Sequence, residues 1–112
     1  MYRYEFFKGT DQNYGIWIDM NEPSVNNLED NTMVKNVYHI LGDSNRVLHR
    51  DVHNCYGHMM AKATYEGLIE RDLGGLRPFV LTRSAFLGSQ KFAAKWTGDN
   101  RATYAELHLS IN

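Results

Sequence analysis

A single cysteine, Cys55, stands in the 112 residues, so no disulfide can form within the chain and redox compartment cannot be read from cysteine. No Asn-x-Ser/Thr acceptor occurs. Charge of one sign is not in excess either: 12 basic and 13 acidic side chains leave a formal net charge of −1. Nothing in that balance points to nucleic acid or to a membrane surface as a partner. The apolar runs are too short to cross a bilayer. The opening "MYRYEFFKG" lacks the apolar core and small-residue cleavage site of a secretory signal, and read literally it predicts a cytosolic chain. There is no internal repeat and no low-complexity tract. His49 and His53 stand at the i, i+4 spacing that can bind zinc, but no third ligand stands in an obvious place, so no metal or other cofactor is expected.

What is present is a chain 43% hydrophobic and 12% aromatic, which excludes a disordered tail and suits one small domain or a piece of a larger one. "YGIWID", residues 14–19, reads as a short strand apolar on both faces, which Pro23 then ends. Residues 20–48, rich in Asn, Asp, Ser and Gly, read as a long loop with at most one helical turn. From His49 to Leu73 the apolar residues Val52, Tyr56, Met59, Met60, Ala63 and Leu68 recur at helical spacing, and Gly74 and Gly75 supply a terminating backbone. "RPFVLTR", residues 77–83, reads as a second strand. Residues 84–94 read as a loop leading into a short helix, "KWTGD" (95–99) as a brief third strand, and 102–111 as a further helix. The alternation predicts parallel strands with helical crossovers, an α/β architecture. Three such strands leave edges bare, so the chain is expected to be cut at both ends.

In that arrangement Asp19 and Asp99 each follow a strand and Arg83 ends the middle one, so three ionisable side chains reach the edge where parallel α/β folds place their ligands. Each aspartate taken singly also fits a helix cap or a turn, Arg83 fits a simple ion pair, and Trp17 and Trp96 fit a core. Taken together, two carboxylates suit glycoside hydrolysis: one attacks the anomeric carbon and the other protonates the leaving oxygen. The tryptophans suit the apolar face of a pyranose, and the arginine its hydroxyls.

Three stretches carry a resemblance that covers the chain from about residue 13 onward. "WIDMNEPS" resembles the nucleophile signature of glycoside hydrolase family 31, the α-glucosidase family. "RPFVLTRSAFLGSQKFAAKWTGDN", residues 77–100, resembles its second signature, which ends in the acid/base aspartate. "HRDVHNCYGHMMAKATYEGL", residues 49–68, resembles the helix between them in the glucosidase II and neutral α-glucosidase branch. The resemblance implies that Asp19 is the nucleophile of a retaining double displacement and Asp99 the acid/base, with Glu22 in a supporting role. Trp17, Met20, Arg83 and Trp96 would line the glucose subsite. It implies a (β/α)8 TIM barrel of which residues 1–112 form a partial catalytic domain, about strands four to six, with the carboxyls about 5–5.5 Å apart in a functional site. The family's further glucose-binding aspartate and histidine have no counterpart here. Residues 26–46 depart most from the family pattern.

The branch further implies terminal α-linked glucose on immature N-glycans as substrate, the endoplasmic reticulum lumen as location, and a regulatory β subunit as partner. Xylosidase or lyase chemistry is known within the same family and depends on residues outside this chain. Another class of function remains in view: a non-catalytic remnant that binds carbohydrate or a protein partner. The 112-residue polypeptide alone is expected to be inactive, because an incomplete site cannot hold its groups to sub-ångström tolerance.

Overall fold

The computed structural model describes residues 14–26, 28–72 and 75–111. Within them a sheet of three parallel strands has β1 (Ile16–Ile18) at one edge, and a separate hairpin is made by β2 (Tyr38–Leu41) and β3 (Asn45–Leu48). Helix α1 (His49–Val52), one turn of 3-10 helix (His53–Cys55) and helix α2 (Tyr56–Asp72) follow in direct succession. The other strands of the main sheet are β4 (Val80–Thr82) and β5 (Ala94–Lys95), with a 3-10 turn at Ser89–Lys91 between them, and helix α3 (Tyr104–Ile111) comes last.

The parallel α/β prediction holds. β1 pairs with β4, and β4 with β5, giving the order β1-β4-β5 with all neighbours parallel. The described residues form no closed barrel, and what they form is an α/β segment of the kind a partial barrel contains. β-branched Ile16, Ile18 and Val80 suit the pleated backbone, and Gly15 lets the strands start close together. A Cβ on Gly15 would lie 2.9 Å from Phe79 Cδ1 and 3.0 Å from Phe79 O. That clearance leaves room for the Ile16 N–H to donate to Phe79 O at 2.9 Å.

The core lies where α2 crosses the sheet. Ile18, Ala61, Leu68 and Val80 are buried together, with Ile16, Met60, Tyr65 and Ala93 packed at the margin. Burying a leucine-sized side chain stabilises by about 1.5–3 kcal/mol, so Leu68, fully buried, and Val80 anchor the helix to the strand.

Four expectations change. β1 is not buried on both faces: Ile18 points into the core, while Trp17, on the opposite face, is 65% exposed. The expected helical stripe is also displaced. Gly57, Ala61 and Leu68 face inward, and Met59 is exposed. Val52, Tyr56 and Met59 instead border an open apolar groove of about 600 Å³ shared with Ile40 and Leu41 of the hairpin, and Met60 touches both this groove and the core. The long loop contains that hairpin, paired in register from Tyr38↔Leu48 to Leu41↔Asn45 around a turn in which Gly42 takes φ 64°. Glycine adopts this left-handed backbone without steric cost. The third strand ends early: Ala94–Lys95 pairs, and Trp96–Asp99 does not, the partner strand β4 itself ending at Thr82, level with Lys95; Gly98 then turns the backbone at φ 89°. Helix α2 is described to Asp72; Leu73 and Gly74, like residues 1–13, lie outside the described residues. No helix among the described residues is long and apolar enough to cross a membrane.

Candidate active site

The register fixes which residues meet at the C-terminal edge of the sheet. Ile18 is level with Thr82, and Thr82 with Lys95. One step further along each chain come Asp19, Arg83 and Trp96. The Arg83 N–H still donates to Ile18 O at 3.1 Å, so the strands hold together up to this point.

Arg83 is the hub. Its Nε donates to Glu22 Oε1 at 2.7 Å and its Nη2 to Glu22 Oε2 at 3.1 Å. Its Nη1 lies 3.1 Å from Asp19 Oδ1. Nη2 also reaches Ser24 Oγ at 3.3 Å and Met20 Sδ at 2.9 Å. Ser24 Oγ in turn donates to Glu22 Oε2 at 2.8 Å. Two-pronged contact of a guanidinium with a carboxylate fixes orientation as well as charge.

The electrostatics follow from this geometry. The hydrogen bonds from Arg83 pull Glu22 down to a pKa of about 2 against a smaller opposing effect of burial, and Ser24 adds to the lowering. In return Glu22 raises Arg83 above its ordinary value, with smaller contributions from the charges of Asp19 and Asp99. The Arg83 guanidinium therefore serves three carboxylates, and Glu22 holds most of it.

The turn after β1 shapes its own end. Met20 takes φ 60°, and its N–H donates to Asp19 Oδ1 at 2.8 Å. The contact turns the Asp19 carboxylate back over the chain. Across the sheet edge Trp17 and Trp96 meet edge to face, centroids 5.6 Å apart and planes at 63°. Asp99 is exposed, four residues beyond β5. Lys95 Nζ donates to Arg83 O at 2.7 Å and ties β5 to the hub.

Of the residues singled out in the sequence, Asp19, Met20, Glu22 and Arg83 are in direct contact, Trp17 and Trp96 touch each other, and Asp99 enters through its charge on Arg83. The reading missed Ser24 and Lys95, and it missed Asn21, buried between Met20 and Glu22. A polar side chain inside an otherwise functional run was the available signal for Asn21; Lys95 carried none.

The two helix histidines do not stand as an isolated pair. His49, fully buried, bonds His39 through Nδ1 and His53 through Nε2, both at 2.8 Å. Both of its ring nitrogens are thereby engaged. Among the described residues no group of three or more His, Cys, Asp or Glu is placed to hold a metal ion. His53 lines a cavity of about 290 Å³ with Glu22, Asn54, Ser84, Ala85 and Phe86, directly behind the hub.

Fold and edge together define a class: a parallel α/β segment of barrel type that gathers carboxylates, one arginine and paired aromatics at the C-terminal ends of its strands. Comparison with known proteins narrows it. The family described as "Glycosyl hydrolases family 31 TIM-barrel domain" matches residues 1–112. This chain belongs to glycosyl hydrolase family 31. It is 48% identical over 111 residues to neutral alpha-glucosidase AB of Sus scrofa, which covers 99% of this chain and 11% of that protein. It is 52% identical over 97 residues to alpha-glucosidase 2 of Bacillus thermoamyloliquefaciens, covering 87% of this chain and 12% of that protein. The crystal structure of a family 31 alpha-glucosidase from Bacteroides thetaiotaomicron superposes with a TM-score of 0.61 at 39% identity, over 87% of this chain and 14% of that one. The chain thus spans about a tenth of the length of the curated relatives it matches.

Proposed function

We propose that these residues supply the catalytic edge of a retaining α-glucosidase, with residues 1–112 forming part of its catalytic barrel, about strands four to six. The observation that carries the reading is the Arg83 hub, which draws Asp19 and Glu22 to the C-terminal edge of a parallel sheet and faces Asp99. The names of the similar proteins, neutral alpha-glucosidase AB and alpha-glucosidase 2, support the same chemistry.

In this mechanism Asp19 attacks the anomeric carbon of a terminal α-linked glucose while Asp99 gives its proton to the leaving oxygen. A glycosyl–Asp19 ester results. Asp99, now a base, takes a proton from water, which attacks the same carbon, frees Asp19 and yields product of the original configuration. Glu22 does not fit the role of proton donor, because Arg83 holds it far below neutral pH. Its task is to orient Arg83. Trp17, Met20, Arg83 and Trp96 line the glucose subsite, the aromatic pair offering an apolar wall to the ring.

Similarity to neutral alpha-glucosidase AB supports a finer reading: trimming of glucose from N-glycans in the endoplasmic reticulum lumen, with a regulatory β subunit as partner. Large apolar side chains outside the subsite stand exposed over the segment, Phe79, Phe86, Leu107 and Ile111 among them. Surfaces of this kind need cover, which supports seating in a larger barrel and inactivity of the 112 residues alone.

The experiment follows the first-formed anomer by proton NMR as the intact protein that carries this chain hydrolyses nitrophenyl α-glucoside. The α anomer is expected first. Asp19→Asn is expected to lower kcat by roughly a thousandfold or more. Asp99→Ala is expected to lose less on this good leaving group and to recover with azide, which needs no base. A β anomer appearing first contradicts the proposal.

A further inference from the structure

Beyond Ile18 and Arg83 the β1–β4 ladder stops, yet the groups proposed to act on substrate lie beyond it. Beside the Arg83 contacts to Asp19, Glu22 and Ser24, one buried amide ties the two chain ends together there. Asn21 is 2% exposed. Its Nδ2 donates to Thr82 Oγ1 at 2.8 Å, and its Oδ1 accepts the Ser84 N–H at 2.9 Å. The Thr82 hydroxyl, fully buried, donates in turn to Ser84 O at 2.8 Å.

The placement is specific. Asn21 stands between Met20 and Glu22, two residues after Asp19, and its partners Thr82 and Ser84 stand on either side of Arg83. Each end of the amide therefore grips a residue adjacent to the hub. Helix α2 closes over the clamp at Gly57: a Cβ there would lie 2.5 Å from Ser84 Oγ and 2.9 Å from Asn21 O. Asn21 and Thr82 are themselves buried, so breaking the bond between them leaves a buried donor or acceptor without a substitute partner.

We propose that Asn21 is a positioning residue: through Thr82 and Ser84 it locks the turn bearing Asp19 and Glu22 to the turn bearing Arg83, and so sets the geometry in which the nucleophile meets the sugar. The catalytic consequence rests on the α-glucosidase reading, whereas the clamp itself does not. Loosening it shifts reacting groups by fractions of an ångström, which costs chemistry more than binding.

The test uses the intact protein carrying this chain, as parent, Asn21→Ala, Thr82→Val and Thr82→Ser. Hydrogen exchange by mass spectrometry follows the peptide containing Ser84, and kinetics on nitrophenyl α-glucoside are normalised to folded protein. Asn21→Ala and Thr82→Val are expected to speed exchange at Ser84 and lower kcat about 10- to 100-fold with KM within about twofold. Thr82→Ser keeps the hydroxyl and restores both readouts. The double variant Asn21→Ala/Thr82→Val falls no further than the worse single one, because both break one device.

A kcat per folded molecule that stays at the parental value in Asn21→Ala, with only the melting temperature lowered, makes Asn21 structural and overturns the proposal. Unchanged Ser84 exchange overturns it too. If Asn21→Ala does not fold, Thr82→Val against Thr82→Ser makes the same comparison. A parent inactive on α-glucosides sinks the glycosidase reading and with it the catalytic consequence, while exchange at Ser84 still decides for or against the clamp.

Discussion

Arg83 and Glu22, 61 positions apart, meet through two hydrogen bonds of 2.7 and 3.1 Å, one to each carboxylate oxygen. The pair joins the ends of two parallel strands and leaves Nη1 of the same guanidinium for Asp19. Its consequence for stability has a definite sign. Glu22 titrates at about 2 in the folded chain, against an ordinary value of 4.5. A carboxylate lowered on folding stabilises fully above its unfolded value and loses that contribution as pH falls through the folded one. Melting temperature should therefore drop as pH falls from about 4.5 to about 2, with Glu22→Gln showing a shallower drop. Because the Glu22 side chain is 37% exposed, the effect is modest and salt-sensitive. Parallel slopes for the two proteins contradict this.

His49 gives a second acid dependence from a different cause. Burial, then the neighbouring charges of His53 and His39, lower it below its ordinary 6.5. A histidine lowered on folding is held neutral, so the unfolded chain binds the extra proton and stability falls as pH drops below about 6.5. The facing groups are His39 from β2, His53 from the 3-10 turn and Tyr56 from α2. His49→Gln should flatten the pH dependence of denaturant midpoints below about 6.5. A slope unchanged in that variant counts against the buried-neutral assignment.

Gly57 tests how closely α2 approaches the hub. With 2.5 Å to Ser84 Oγ and 2.9 Å to Asn21 O for an added Cβ, the helix cannot accept a methyl group without moving. Gly57→Ala normally favours a helix by about 1 kcal/mol; here overpacking should reverse the sign and destabilise by about 1–3 kcal/mol. Denaturant unfolding measures it. A stabilised variant shows that α2 stands further off.

The parallel sheet, its order and the side chains at its edge were legible because strand and signature coincide: "GIWI" and "FVLT" are short apolar runs that lead straight into Asp19 and Arg83. The hairpin Tyr38–Leu48 was not, because Asn36, Asp43, Ser44 and Asn45 give its surroundings the composition of a loop and most of its side chains are exposed. Apolar periodicity misplaced the α2 stripe for a related reason. Small residues, Gly57 and Ala61, face the sheet at close range, while the larger Tyr56 and Met59 border the groove. The Asn21 clamp depends on contacts 61 and 63 positions apart, which no local pattern encodes.

The central claim is that Asp19 forms a bond to the sugar. The direct measurement is mass spectrometry of the intact protein after brief exposure to a fluorinated α-glucosyl fluoride, a substrate whose intermediate is slow to hydrolyse. One glycosyl adduct is expected, confined to the peptide that carries Asp19 and absent in Asp19→Asn. An adduct on another carboxylate, or steady turnover by Asp19→Asn at the parental rate, contradicts it.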